Sequence, residues 1–128
     1  MSGASDIVGL DAKTLGAALR ARRTSCVEVM NAYVDQIEAL NPTVNAIVSL
    51  RERRDLVQEA KTRDDELARG ERRGWMHGFP QAPKDLANTA GIVTTQGSPI
   101  LKGFVPKADA IIVERGRRNG AILIGKTN

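Results

Sequence analysis

Apolar residues recur at helical spacing in four segments of this 128-residue chain. The clearest segment opens at Ser25, which has Glu28 three residues on as a capping-box partner, and its apolar residues recur every three or four positions as far as Leu40. Proline disfavours helical geometry in the residue before it, so Asn41-Pro42 is expected to end this helix. The other three predicted helices span residues 11–23, 52–69 and 109–119.

Two short aliphatic segments, residues 44–50 and 121–124, predict strands. Gly120 stands between the last predicted helix and the second strand, and it suits the C′ position that ends a helix. Helices that alternate with short apolar strands are typical of an α/β layer structure. The fold class that the pattern indicates is therefore α/β.

The segment from His77 to Pro106 differs from the rest of the chain. It is rich in glycine and proline and carries few charged residues. A long irregular segment inside a compact protein often carries function, because a rigid scaffold can position it. We therefore searched this segment for candidate site residues.

Composition and charge restrict the function classes. A chain of this length, with 41% hydrophobic and 27% charged residues, is a single domain or a piece of one. Its net charge is +4, but basic and acidic residues are interspersed through residues 51–73. A nucleic-acid surface needs clustered positive charge that is largely free of carboxylates, so no nucleic-acid partner is expected.

The sequence also argues against a membrane protein or a metalloprotein. Its apolar runs are far shorter than the ~20 residues that cross a bilayer, and no signal peptide is visible. One cysteine, Cys26, and one histidine, His77, make a poor ligand set for zinc. We expect a cytoplasmic protein without membrane association, metal or cofactor, in which Cys26 is a small packed thiol.

Residues 120–127 match the phosphate-binding pattern G-x-x-x-x-G-K-[ST] letter by letter. Such a phosphate-binding loop needs a strand before its first glycine, a flexible loop, and a helix after its lysine. Here a helix is predicted before Gly120, and four strand-forming aliphatic residues stand where the loop would be. We therefore interpret these residues as a helix, a glycine and a strand, without a phosphate site.

A series of short motifs follows in order from His77 onward. They are His77-Gly78-Phe79-Pro80, Lys84-Asp85, Ala90-Gly91, Thr94-Thr95, Gly97-Ser98, Asp109-Ala110, Gly120-Ala121 and Gly125-Lys126-Thr127-Asn128. This series resembles the amidase signature family of amide hydrolases. The resemblance extends from about residue 7 to the last residue, and it is specific because several separate motifs keep their order and spacing.

The resemblance implies the N-terminal part of an α/β/α layered amidase fold with a mixed central sheet. Residues 1–128 would form the N-terminal portion of a single amidase domain. Residues 1–74 would be mainly helical, and residues 75–128 would hold a loop-rich segment with the lysine motif, followed by a helix and a strand.

The resemblance also implies chemistry of the Ser–cisSer–Lys type, with Lys84 as the catalytic general base. A neutral Lys84 amine would accept a proton from a nucleophilic serine through a bridging serine. An ordinary lysine has a pKa near ~10.4, so the base needs an apolar environment, which the residues around Lys84 suggest. Both serines belong to a later stretch of the family and are absent here. Ser98 is interpreted as a turn residue, and His77 as a structural hydrogen-bonding residue.

The implied enzyme hydrolyses a small-molecule amide at a carbon–nitrogen bond other than a peptide bond. The isolated 128-residue chain is expected to be inactive, and either to pair with a complementary C-terminal polypeptide or to self-associate. The alternative hypothesis is a non-catalytic amidase-like binding module or a truncated product. No cofactor-binding or metal-ligating residue is identified. The substrate stays open, as does the choice between a stand-alone amidase and one component of an amidotransferase.

Overall fold

The structure, a computed structural model, describes residues 3–128 and alternates helices with short strands. The helices are α1 (Ala4–Val8), α2 (Ala12–Arg20), α3 (Cys26–Val44), α4 (Arg53–Ala68) and α5 (Ile111–Arg118). The strands are β1 (Ile47–Val48), β2 (Pro80–Gln81), β3 (Ile122–Leu123) and β4 (Lys126–Thr127). A single 3₁₀ turn, Pro99–Leu101, interrupts the long segment between β2 and α5 in the part of the chain that the structure describes. All four predicted helices are present, and α1 is an addition to them.

The N-terminus of α3 is fixed by two sets of hydrogen bonds. The predicted capping box is confirmed, because the Ser25 hydroxyl accepts from the Glu28 amide and the Glu28 carboxylate accepts from the Ser25 amide. The Asp64 carboxylate of α4 accepts from the amides of Cys26 and Val27 at 2.7 and 3.1 Å. Because a carboxylate satisfies the free amides of a helix start, this contact holds α4 against α3.

The prediction that Asn41-Pro42 ends α3 was wrong. The helix continues through Pro42 to Val44 and ends at Asn45, which has a left-handed φ of +46°. The proline lies in the last turn, so its missing amide costs one hydrogen bond in an exposed part of the helix. The Asn41 side chain compensates by binding both the amide and the carbonyl of Ile47 at 2.8 Å.

The strands are shorter than predicted and form two small sheets. The predicted strand 44–50 contracts to β1, and the predicted strand 121–124 contracts to β3. β1 pairs antiparallel with β4, and β2 pairs parallel with β3. Residue Ile124, between β3 and β4, bonds in both directions: its amide donates to Gln81 and its carbonyl accepts from Arg51. Antiparallel and parallel pairing therefore meet on one continuous stretch, residues 121–127.

The alternation of side chains along β3 separates two apolar clusters. Ile122 and Ile124 pack into a large cluster with the helices, while Ala121 and Leu123 pack into a small one with Val113 of α5. Other members of the large cluster are Leu15, Leu19, Cys26, Val29, Met30, Val34, Leu56, Ala60 and Phe79. A strand that is buried on both faces is the mark of layered α/β packing, which confirms the predicted fold class.

None of the helices between residues 3 and 128 combines the length and apolar character that a bilayer crossing requires.

Gly78 permits a close contact between the segment before β2 and helix α3. Its φ is +81°, and a Cβ atom built at this position would collide with the Sγ atom of the fully buried Cys26. Glycine is therefore required twice over, by the left-handed backbone and by the absence of room.

We predict that Gly78→Ala lowers the free energy of unfolding by about 2–5 kcal/mol, because a left-handed alanine and an overpacked contact both cost stability. The matched control is Gly70→Ala, since Gly70 has a similar φ of +78° but open space around it. The control should lose only about 1–2 kcal/mol. Urea denaturation followed by circular dichroism measures both. Equal losses in the two variants would contradict the packing argument.

Candidate functional site

Lys84 lies just after β2 and is held between two backbone hydrogen bonds. It forms an isolated parallel bridge with Thr127. The Thr127 amide donates to the Pro83 carbonyl at 2.9 Å, and the Thr127 carbonyl accepts from the Asp85 amide at 3.0 Å. The Lys84 Nζ atom donates to the Asn128 carbonyl at 3.2 Å. Pro83 thus takes part in the pairing through its carbonyl, which proline retains.

An open cavity of about 220 Å³ lies beside Lys84. Its walls come from Val48 and Ser49 at the end of β1, from residues 84–86, from residues 95–97 and from Asn128. Lys84 is exposed, and 62% of the neighbouring Leu86 is exposed as well. The apolar surroundings that the sequence suggested for Lys84 are therefore not formed by residues 3–128.

The segment that follows Lys84 folds back on itself through Asp85. We call residues 84–97 the lysine loop. The Asp85 carboxylate accepts from the Thr95 hydroxyl at 2.6 Å and from the Thr95 amide at 3.2 Å. The Asp85 carbonyl accepts from the amide of Gln96, whose φ of +53° is left-handed. These bonds bring the two ends of the loop together at the cavity wall.

A second anchor joins the middle of the lysine loop to the start of α5. The Asp109 carboxylate accepts from the Ala90 amide and from Arg117 Nε, each at 2.7 Å. Arg117 Nη2 in turn donates to the Ala90 carbonyl at 3.0 Å. Asp109 was expected to begin a helix, but α5 begins at Ile111 and Asp109 binds the loop instead.

The structure supports the rejection of a phosphate-binding loop at residues 120–127. Helix α5 precedes Gly120, and the amides of Ile122 and Ile124 donate to the carbonyls of Phe79 and Gln81. These amides are therefore unavailable to a phosphate. Lys126, the lysine of the pattern, is fully buried and does not face solvent.

His77 and Ser98 have structural hydrogen bonds, as the sequence predicts. The buried His77 ring accepts from the Arg73 amide at Nδ1 and donates from Nε2 to the Arg63 carbonyl at 2.9 Å. Because Nδ1 accepts, the ring hydrogen lies on Nε2. The Ser98 hydroxyl accepts from the Ile100 amide and caps the 3₁₀ turn.

Cys26 has the packed environment expected for an inert thiol. It is fully buried, and burial together with the nearby Asp64 carboxylate raises the pKa of the Cys26 thiol far above its ordinary value. Because the thiolate is the nucleophilic form, Cys26 is a poor nucleophile. Among residues 3–128 no group of three or more histidine, cysteine, aspartate or glutamate side chains is arranged to hold a metal ion.

A charged cluster beneath the His77 segment supports the start of β2. The Glu66 carboxylate, only 10% exposed, pairs with Arg73 at 2.5 Å and with Arg63 at 3.6 Å. Hydrogen bonds from Arg73 are the main cause that lowers the pKa of Glu66 below its ordinary value of 4.5, and the charge of Arg63 contributes. The cluster joins α4 to the residues just before Gly78.

Taken together, these features define an α/β scaffold that presents one lysine at an open cavity. The family profile described as Amidase matches residues 28–128. The chain belongs to this family, the amidase signature family.

Similar proteins place the chain within longer enzymes. The GatA-type component of glutamyl-tRNA(Gln) amidotransferase from Acidothermus cellulolyticus is 40% identical over 97% of this chain and 24% of its own length. The native peptide amidase from Stenotrophomonas maltophilia has a TM-score of 0.85 and 37% identity over 94% of this chain and 25% of its own. Fatty acid amide hydrolase, at 22% identity, shows the same fold with a TM-score of 0.90. The chain thus spans about a quarter of the length of these relatives.

We predict that the stability of the chain falls on acidification partly through Glu66. A carboxyl group whose folded-state pKa lies below 4.5 stabilises the fold above that pH, and the contribution disappears as the pH falls through the folded-state value. Glu66→Gln should lower the free energy of unfolding at pH 7 by about 1–3 kcal/mol and reduce its dependence on pH between 5 and 3.

The control for this prediction is Glu71→Gln, because the Glu71 side chain is 61% exposed and its pair with Arg69 lies at the surface. Urea denaturation at several pH values measures both variants. A Glu66→Gln variant with the acid profile of the unmodified chain would refute the role of this carboxylate.

Proposed function

We propose that this chain supplies the general-base lysine of an amide hydrolase of the Ser–cisSer–Lys type, as the N-terminal portion of a single amidase domain. The observation that carries the proposal is the position of Lys84, whose amine lies at the wall of the cavity and has one hydrogen-bond partner, the Asn128 carbonyl, within the described residues. The match of residues 28–128 to the Amidase family supports it.

Lys84 would accept the proton of a serine nucleophile through a second, bridging serine. Both serines would come from later segments of the amidase, beside the cavity. Because a neutral amine is required for this step, the exposed Lys84 needs further chain to cover it and to exclude water. Covering the cavity would favour the neutral amine and place the two hydroxyls within reach of Nζ.

Exposed apolar side chains support association with a complementary polypeptide. Four large residues are exposed over more than three fifths of their surface: Leu86, Ile100, Ile111 and Ile112. Such residues commonly mark a surface that another part of a protein covers. We propose that the remaining amidase segments cover them, and self-association of this chain is the other arrangement that would do so.

The proposed substrate is a small-molecule amide, cleaved at a carbon–nitrogen bond other than a peptide bond. The relatives include a peptide amidase and an amidotransferase component, and the chemistry that their names share is attack on an amide. The proposal therefore extends to that reaction, in a cytoplasmic enzyme without nucleic-acid or membrane partners, as the sequence predicts.

A chimera tests the proposed role of Lys84. In the peptide amidase from Stenotrophomonas maltophilia, the quarter that aligns with this chain is replaced by this chain. We expect the chimera to hydrolyse amides and Lys84→Ala to lower kcat by about 10²–10⁴-fold, because the proton relay loses its acceptor. Lys107→Ala, which removes an exposed lysine, is the control and should keep full activity.

Circular dichroism of each chimera verifies the fold. A folded chimera without activity would favour the alternative, a non-catalytic amidase-like module. An Lys84→Ala chimera that keeps a tenth or more of the activity would exclude Lys84 as the base.

The isolated 128-residue chain should show no amide hydrolysis above the uncatalysed rate, because it lacks the serine nucleophile and the donors that stabilise an oxyanion. Release of ammonia or of an aryl amine from simple amides measures this. Steady turnover by the purified chain, retained through several chromatography steps, would contradict the assignment of the nucleophile to later segments.

A further inference from the structure

We propose that Lys126 is a positioning residue, whose buried ammonium group fixes the lysine loop and thereby holds Lys84 at the cavity. The proposal rests on the proposed function of Lys84. It concerns the one lysine that the phosphate-loop pattern singled out and that the amidase chemistry does not use.

The Nζ atom of Lys126 has three oxygen acceptors, and all of them belong to the lysine loop. It donates to the Ala87 carbonyl, to Thr89 Oγ1 at 2.6 Å and to Thr94 Oγ1 at 3.3 Å. The Thr89 hydroxyl donates its own hydrogen to Ala87, and the Thr94 hydroxyl donates to Ile92, each at 3.1 Å. Both hydroxyl oxygens are therefore left to accept from Lys126.

This arrangement matches the three hydrogens of an ammonium group. A neutral amine has two hydrogens and a lone pair, and that lone pair would face one of the three oxygens. Burial lowers the pKa of Lys126, while the carboxylates of Asp85 and Asp109 oppose this effect. No carboxylate is among its hydrogen-bond partners within residues 3–128, so the loop oxygens replace the water that the charge has lost.

The hydrogen bonds of Lys126 act on the part of the loop that returns to Lys84. Thr94 accepts from Lys126, and the next residue, Thr95, binds the carboxylate of Asp85. Asp85 directly follows Lys84, and its amide donates to the backbone of the residue after Lys126. The backbone next to Lys126 therefore holds one side of Lys84, and its side chain holds the loop that closes the other side.

A purely structural role for Lys126 predicts a different result from a positioning role. A methionine fills a similar volume without the charge, so packing alone is largely kept in Lys126→Met. What the substitution removes is the set of three bonds to the lysine loop. A local effect on the loop, together with a loss of turnover, is therefore the signature of positioning.

Amide hydrogen exchange in the 128-residue chain measures the local effect. In Lys126→Met we expect the amides of Asp85, Thr94 and Thr95 to exchange at least tenfold faster, while amides in the middle of α3 change less than twofold. Lys107→Met removes an exposed lysine and should change neither group. Equal acceleration throughout the chain, or none, would overturn the proposal.

A milder variant keeps the test decisive where Lys126→Met does not fold. Thr94→Val keeps the shape of the side chain and removes one acceptor, so it should accelerate exchange at Thr95 and Asp85 in the same local manner. Unchanged exchange at both amides would overturn the proposal as well.

Kinetics of the chimera of this chain with the peptide amidase provide the second readout. Lys126→Met should lower kcat at least tenfold with KM within twofold, and Lys107→Met should leave both unchanged. Full kcat in Lys126→Met beside an inactive Lys84→Ala would overturn the positioning role and leave the proposed function intact. Activity in Lys84→Ala would refute the proposed function, and the exchange result would still decide whether Lys126 fixes the loop.

Discussion

The structure depends on one stretch of chain, residues 121–127, that is bonded along both edges and covered on both faces. Its parallel edge meets the segment that carries Lys84, and its antiparallel edge meets residues 46–51. Ile122 and Ile124 pack towards the helices, while Ala121 and Leu123 pack towards α5. Any change in its register would therefore move the candidate base, the cavity wall and two apolar clusters at once.

Local signals in the sequence were sufficient for the helices, because their hydrogen bonds and caps are formed by residues a few positions apart. Ser25 and Glu28 show this for α3, and Gly120 shows it for the end of α5, where φ is +93°. The end of α3 was mistaken because the fate of Pro42 depends on Asn41 reaching over to Ile47. The strands were overestimated because their length depends on partners far away in the chain.

The family resemblance led to Lys84, but the sequence did not reveal how the loop around it is held. Asp109 and Arg117 stand two helical turns apart, a spacing that signals a possible pair but not its contact with Ala90. Lys126 carried a misleading signal, because its pattern is that of a phosphate site. Its burial follows from the strand before it and from two threonines more than thirty residues upstream, which no local rule connects.

The pairing of residues near 47 with residues near 127 has a consequence for folding during synthesis. Helices α2, α3 and α4 can form and pack as soon as they emerge, because their contacts are close in sequence. The sheet cannot, since its middle stretch is made last among the described elements, and contacts of such long range close slowly. At about 5–20 residues per second of translation, the lysine segment waits several seconds beside a preformed helical layer before its neighbour arrives.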